Sequence, residues 1–472
     1  MEDIFCLLNS HHQQNDFYKT EFFKGKNKNT NKNNTHSQFI EKYDEIFGYH
    51  SSCISSSKDY FIIDDILLLC CGEIYNYKQL FDDIKVVAKS SWSCEIIIHL
   101  YLKFGFPHVL NHLDGIFAFV LYDMRMTGKN KIFVARDTLG VCPLYQMQTM
   151  YEKYFYGFSS NIKSLKNIND TYKENNVDNE YFSDSSSEDL SIKRVVSFPP
   201  RTYSYYTLSY GNSKGVNWRW ALKKSNVSYM NMNMGHGYGI YQHPFCLHSH
   251  IEDILSRAIH KRCVLSTNKN IACILSGEKY GNILAYFVRN YCLENHCVFH
   301  TFSIGIKEES DMHLKQTKMV ANYLESKHTE VIITKEEMFD VTPEVMDTIE
   351  SRNNQEIIRS YLLGKYISKN NDNIKVIFTD NGFDCLFESE SIKNESNTEN
   401  DSELELKVNI AKKLKNIHFF KEKCLSLHGL EPKTPYVDNE IIQFVLASPT
   451  KSNAEMQRIS PIGEYLNKYY YL

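Results

Sequence analysis

Leu113-Asp114-Gly115-Ile116-Phe117-Ala118-Phe119-Val120-Leu121-Tyr122-Asp123 is the stretch on which the reading of the first half of this chain turns. A glycine followed by an unbroken apolar and aromatic run marks a tight turn or close backbone approach leading into a strand. Two further blocks flank it: Cys71-Gly72-Glu73-Ile74-Tyr75-Asn76, and Phe133-Val134-Ala135-Arg136-Asp137-Thr138-Leu139-Gly140-Val141-Cys142-Pro143-Leu144-Tyr145. Around them lie the β-rich runs Asp3–Leu8, Tyr60–Cys71, Lys131–Ala135, Tyr154–Phe158 and Thr202–Thr207, broken by two helical stretches, Tyr77–Ile84 and Ser93–Lys103. Strands in succession with few helices predict packed sheets up to about residue 205.

Beyond residue 250 the rhythm changes. Helix (Ile251–Cys263), strand (Ile271–Leu275), helix (Asn282–Asn290), strand (Val298–Gly305), helix (His313–Leu324) and strand (Glu330–Thr334) alternate, with another strand at Lys375–Thr379. That alternation predicts a mostly parallel sheet covered by helices on both faces. Leu208 to Phe245 reads as an irregular connector. The expected organisation is a first domain over 1–207, a connector over 208–245 and an α/β domain over 246–472. Three polar, low-complexity stretches (Lys24–Asn34, Asn167–Glu188 and Ser389–Glu403) read as loops or disordered insertions.

The chain has 472 residues and a net charge of -4, from 53 basic and 57 acidic side chains. Neither nucleic acid nor an anionic membrane is favoured as a partner by that balance. Apolar runs fall well short of the ~18 residues a membrane span needs. Met1-Glu2-Asp3 lacks the basic start of a secretory signal, so a cytoplasmic location is expected. The cysteines number 13 and form no CxxC pair, which fits reduced, buried thiols better than a disulfide framework. His243, Cys246, His248 and His250 match no zinc spacing.

In their order the three blocks resemble the N-terminal glutaminase domain of glutamine-hydrolysing asparagine synthetases, with Phe198-Pro199-Pro200 where that domain ends. Leu275-Ser276-Gly277, Phe302-Ser303-Ile304-Gly305, Thr379 to Cys385 and Thr434-Pro435-Tyr436-Val437-Asp438 resemble the family's synthetase domain. The resemblance implies an N-terminal-nucleophile-hydrolase-like α+β domain of two packed antiparallel sheets flanked by helices. A Rossmann-like ATP-pyrophosphatase domain follows it. It also implies ATP and Mg²⁺ as cofactors, aspartate with glutamine or ammonia as substrates, and a homodimer or a heterodimer with an active asparagine synthetase. In the implied reaction, glutamine yields ammonia, aspartate is adenylated with release of pyrophosphate, and ammonia displaces AMP.

The groups that perform this reaction are altered. The family's nucleophile is a cysteine that becomes N-terminal once Met is removed; Glu2 stands there. Cys6 reads as a packed core thiol, not a replacement. The resemblance places the glutamine pocket at Ser51, Cys71, Gly72, Glu73 and Ser93. Ser51 takes the place of the carboxylate-binding Arg, Cys71 that of the oxyanion-binding Asn, and Ser93 that of the amine-binding Asp. Losing one oxyanion donor typically costs ~10²–10³ in rate. Arg136-Asp137 reads as an internal ion pair supporting a loop.

In the second half, the resemblance assigns ATP binding to Leu275, Ser276, Gly277, Gly281, Asn282, Ile304, Gly382 and Arg458. Ser276, Gly277, Gly281 and Asn282 could form a small anion nest at a helix N-terminus. Tyr280 replaces a Mg²⁺-binding carboxylate, Glu278 adds negative charge, and Asp384 remains in the other metal-binding place. Asn381 replaces the general base, since an amide takes no proton at neutral pH. Asp380 is a displaced acid that could substitute. Arg359 falls one position away from the family's aspartate-binding arginine, about 100° around a helix. The expectation is a retained scaffold without its chemistry, a pseudoenzyme or interaction partner. A working ammonia-dependent synthetase and an ATP-dependent enzyme with an altered acceptor stay open beside it.

Overall fold

The computed structural model describes residues 3–8, 19, 36–42, 45–51, 61–106, 108–125, 130–148, 155–174, 195–211, 217–229, 244–266, 268–307, 312–349, 355–387 and 399–447. Glu2, Arg458, the stretch Lys24–Asn34 and His243 lie outside these residues. The chain divides into two compact units, Met1–Met232 and Asn233–Leu472.

Twelve strands build the first unit among the described residues. They are β1 (Asp3–Leu8), β2 (His36–Lys42), β3 (Glu45–Ser51), β4 (Phe61–Ile63), β5 (Ile66–Ile74), β6 (Gly115–Asp123), β7 (Lys131–Arg136), β8 (Tyr145–Gln148), β9 (Tyr156–Ser159), β10 (Val195–Ser197), β11 (Thr202–Gly211) and β12 (Asn217–Ser228). One antiparallel sheet runs β10-β8-β9-β1-β3-β2 and the other β12-β11-β7-β6-β5-β4. Side chains alternate across a strand, so both faces of a continuous apolar run must be covered. Leu67, Leu69 and Cys71 of β5, Ala118, Val120 and Tyr122 of β6, and Ile4, Cys6 and Leu8 of β1 meet in the layer between the sheets. The alternate residues Leu68, Cys70, Phe117, Phe119 and Leu121 pack instead under the helices Tyr77–Ile84 and Ile96–Phe104. Phe5 and Leu7 pack on the opposite outer face, with Leu165 and Ile168 of the helix Ile162–Glu174. The result is a helix–sheet–sheet–helix sandwich, the α+β architecture expected.

In the second unit β13 (Asn270–Ile274), β14 (Val298–Ile306), β15 (Lys327–Ile333), β16 (Val376–Phe378) and β17 (Glu431–Lys433) form one parallel sheet, ordered β15-β14-β13-β16-β17. Ala272, Phe302, Val331 and Ile377 pack beneath the helices Lys335–Ile349, Gln355–Asn370 and Phe420–Ser426. The helix Lys279–Glu294 packs against β13 and β14, as does Met312–Tyr323 against β14 and β15. Chain order moves outward from β13 to β15, then returns to the other side of β13 at β16. That reversal opens a crevice at the C-terminal ends of β13 and β16, where doubly wound sheets take their ligands.

The expected connector over 208–245 is corrected. β11 continues to Gly211, β12 pairs with it, and the next helix begins at Pro244. The two strands pair from Gly211↔Asn217 back to Thr202↔Ser228, and register shifts near Tyr205 interrupt the alternation that would announce the pair. Two of the polar stretches also carry helix: Ile162–Glu174 enters one and Glu399–Lys415 begins in another. Among the described residues no helix is long and apolar enough to cross a membrane.

Candidate functional site

The ends of β5 and β6 bring the first two sequence blocks together. The Asn76 side chain donates to His112 O at 2.8 Å and accepts from the Asp114 N–H at 3.0 Å. Gly72, at φ +127°, and Gly115 sit where a Cβ would lie 2.1–2.2 Å from the facing strand's carbonyl oxygens, so only glycine fits. Strand closure thus explains Gly72, Asn76 and Gly115.

The pocket positions are divided among different surroundings. Cys71 is fully buried between the sheets, its thiol against that of Cys142. The Cys71 thiol and burial push the Cys142 thiol well up, which keeps Cys142 protonated and unreactive. Ser93 approaches β5 from a 3-10 turn, Ser93–Glu95, whose Cys94 packs in the helical layer. Its hydroxyl accepts the Ile74 N–H at 3.2 Å, which occupies it structurally. Ser51 closes β3 opposite His36 of β2, and Glu73 is half-buried near the end of β5. Cys6 is fully buried in the inter-sheet layer, as a core thiol should be.

Arg136 and Asp137 do not form the expected direct ion pair. The guanidinium donates to Cys142 O, Gly140 O and Phe198 O, each at 2.7 Å, and to Ser197 Oγ at 2.8 Å. The carboxylate accepts the N–H groups of Leu139, Val141 and Cys142 at 3.0–3.1 Å. Each residue grips the loop backbone separately, so the motif is a loop clamp. Glu95, which was not singled out from sequence, is also buried. It accepts from Lys89 N at 2.7 Å and Ser90 Oγ at 2.6 Å and lies 3.0 Å from His99 Nε2. The spacing Glu95-x-x-x-His99 on a helical stretch was the available signal.

In the second unit the crevice between β13 and β16 gathers most of the predicted positions. Leu275 is buried and donates its N–H to Phe302 O of β14 at 2.8 Å; Ile304 lies further along that strand, half-buried. Ser276 Oγ donates to Asp380 Oδ2 at 3.1 Å across the crevice. Gly281 faces this pair, since a Cβ there would lie 2.9 Å from Ser276 Oγ and 3.0 Å from Asp380 Oδ2. Gly277 has φ +77° and abuts the His313 ring, whose Nε2 contacts Ser276 O. Gly382, at φ +97°, would place a Cβ 2.4 Å from Val437 Cγ1. Asn282 lies in the first turn of the helix Lys279–Glu294 and is fully buried, its N–H donating to Glu278 O at 3.3 Å.

Charge in the crevice is mainly negative. Burial pushes the Asp380 carboxyl up, against the pull of Lys421 and the Ser276 hydroxyl. Glu278 is raised by burial and by Asp380 and Asp384. Lys421 Nζ lies 3.2 Å from Glu356 Oε2, at the start of the helix that carries Arg359.

Tyr280 stacks on Phe383 with ring centroids 3.7 Å apart and planes 17° from parallel. Phe387 and Tyr436 extend the cluster, and the Tyr436 hydroxyl donates to Tyr280 O at 3.0 Å. Asp384 is exposed beside this stack. Among the described residues no three His, Cys, Asp or Glu side chains are arranged to hold a metal ion. The donors here do not fit Mg²⁺, because an aromatic pair fills the place that the resemblance gives to a second carboxylate.

A two-sheet sandwich followed by a parallel sheet with a crevice at its switch point defines an amidotransferase-type domain joined to a synthase-type domain. The glutamine amidotransferase domain family matches residues 60–213, and the asparagine synthase family matches residues 250–422. Similar proteins include the asparagine synthetases [glutamine-hydrolyzing] of Mesocricetus auratus (28% identity over 402 residues), Homo sapiens (28% over 394) and Gallus gallus (28% over 396). The matches cover 81–82% of this chain and 65% of each relative, so the chain spans about 65% of their length. Among solved structures, an NH3-dependent NAD synthetase from Campylobacter jejuni aligns with 38% of this chain and 91% of its own, at 16% identity and a TM-score of 0.24. In these two stretches and in this order the chain is similar to the asparagine synthetases, from which its sequence diverges.

Proposed function

We propose that this chain keeps the scaffold of an asparagine synthetase and has lost its reaction, acting as a pseudoenzyme or interaction partner. The observation that carries this reading is the Tyr280–Phe383 stack. In the family the two turns at this point hold Mg²⁺ and pyrophosphate with a carboxylate and small polar side chains, by the resemblance of residues 276–282 and 379–385. Here aromatic rings close that space, and the Ser276 hydroxyl donates to Asp380 instead of meeting a phosphate oxygen. Glu278 and Asp380 repel a polyphosphate further. In the first unit, a thiol at Cys71 and an occupied hydroxyl at Ser93 supply neither oxyanion donor nor amine acceptor for glutamine.

A partner in keeping with this reading is a second copy of the chain, or an active asparagine synthetase with which it pairs. One observation favours a second reading, ammonia-dependent asparagine formation. Asp380 lies in the crevice beside Ser276 with its carboxyl raised by burial, the direction in which a general base is tuned.

Pyrophosphate release from the purified, folded chain with ATP, Mg²⁺, aspartate and ammonium separates the two. Silence there, and with glutamine in place of ammonium, is the expected result. Ammonium-dependent asparagine formation overturns the proposal and makes Asp380 the next residue to change. Turnover with an acid other than aspartate identifies an ATP-dependent enzyme with an altered acceptor.

A further inference from the structure

We infer that Glu422 positions Asp380, by binding both residues that flank it in the turn after β16 and so holding its carboxylate against Ser276 across the crevice. Glu422 lies on the helix Phe420–Ser426 and is 3% exposed. Its Oε1 accepts the Thr379 hydroxyl at 2.7 Å and its Oε2 accepts the Asn381 amide N–H at 2.9 Å. Asp380 stands between those two anchors, so its backbone is held on both sides. Its Oδ2 then meets Ser276 Oγ at 3.1 Å. A buried carboxylate needs such partners, because an unpaired one is costly in a low-dielectric interior.

The same geometry gives the neutral residue at 381 a physical reason. Asn381 Nδ2 donates both to Glu422 Oε2 and to His418 O at 3.1 Å, and both partners are acceptors. A carboxylate at 381 would set three acceptors against one another. The amide is thus a cross-brace between the turn and the helix, and Glu422 is what requires it. In naming Asp380 as a group of functional interest, this inference rests on the reading of the crevice given above. The brace itself does not.

Two sets of variants test it without any use of turnover. Asn381→Asp keeps the shape and replaces the donor by an oxygen facing Glu422. Two carboxylates at that separation share one proton, which raises the pair's folded-state pKa. A raised folded-state pKa stabilises below the unfolded value and loses that stability as pH rises through it. Asn381→Asp is expected to melt below the wild type at pH 8, by about 4 °C or more for a unit of this size, and to approach it at pH 5. Adding Glu422→Gln should recover most of the loss, since the glutamine amide can donate to the new aspartate. A wild-type melting profile for Asn381→Asp at both pH values overturns the brace.

The second set reads Asp380 directly, by carboxyl NMR of aspartate-labelled protein with the resonance assigned by its loss in Asp380→Asn. Asp380 also faces Lys421, Glu278 and Asp384, with Cys273 and Tyr436 nearby, and all of these stay in place. Glu422→Gln can keep both anchors, its Oε1 accepting the Asn381 amide while its own amide donates to the Thr379 hydroxyl, and should leave the Asp380 titration where it is. Glu422→Ala should move it down toward an ordinary aspartate as the turn opens to water. An unchanged titration in folded Glu422→Ala overturns the positioning role. If Glu422→Ala does not fold, the Asn381→Asp pair still decides. Activity of the wild type in the pyrophosphate assay would overturn the proposed function and leave this inference standing.

Discussion

Replacing Arg136 by methionine is expected to unfold the first unit far more easily while leaving the second untouched. The substitution keeps the aliphatic stem and removes the guanidinium. Three buried carbonyls, of Gly140, Cys142 and Phe198, and the Ser197 hydroxyl lose their donor. A buried acceptor left unpaired costs about 1–3 kcal/mol, and carbonyls sit at the low end of that range, so the sum is about 3–4 kcal/mol. All three tryptophans (Trp92, Trp218 and Trp220) lie in the first unit, and Trp220 is buried between its sheets. Tryptophan emission therefore follows that unit alone. With a urea dependence of about 2–3 kcal/mol per molar, the emission midpoint should fall by about 1–2 M. Arg136→Lys should recover only part of the loss, because an ammonium cannot reproduce the planar fork. A midpoint shift under about 0.3 M for Arg136→Met would refute the loop-clamp account.

Two predictions concern the second unit. Gly382→Ala should destabilise it by about 2 kcal/mol or more, since the backbone is left-handed there and the new Cβ meets Val437; Val437→Ala in that background should relieve the clash but not the backbone strain, as far-UV circular dichroism melts will show. Asp438 is buried with Lys261 Nζ at 2.8 Å and Arg262 Nη1 at 2.6 Å. Burial alone would raise its carboxyl, but the two cations hold it below the ordinary aspartate value. That stability is present above the unfolded pKa and is lost as pH falls through the folded one. Asp438→Asn should therefore cost about 3–5 kcal/mol at pH 7, and the difference from wild type should shrink in acid melts below pH 4.

How much of the fold was legible in the sequence follows from the range of the interactions involved. β5, β6 and β7 read as strands because they are apolar on both faces, and covering two faces requires two layers. The β–α rhythm after residue 250 signalled a parallel sheet for an equally local reason. β12 was missed because its pairing with β11 shifts register near Tyr205, which breaks the alternation a strand is read by. The helix Ile162–Glu174 was hidden by its Asn-, Lys- and Asp-rich composition, although Leu165 and Ile168 anchor it.

The candidate site divides along the same line. Residue identity alone carried the expectation that Cys71, Ser93, Tyr280 and Asn381 do not perform the chemistry that the resemblance assigns to their positions, because donor, acceptor and charge are fixed by the residue type. Only the tertiary structure decided what they do instead. Tyr280 meets Phe383 from 103 positions away, Ser276 meets Asp380 from 104, and Glu422 meets Asn381 from 41. Helical and strand periods relate residues a few positions apart. Contacts of this length arise only when the sheet order brings β13 beside β16 and packs the helix Phe420–Ser426 behind them.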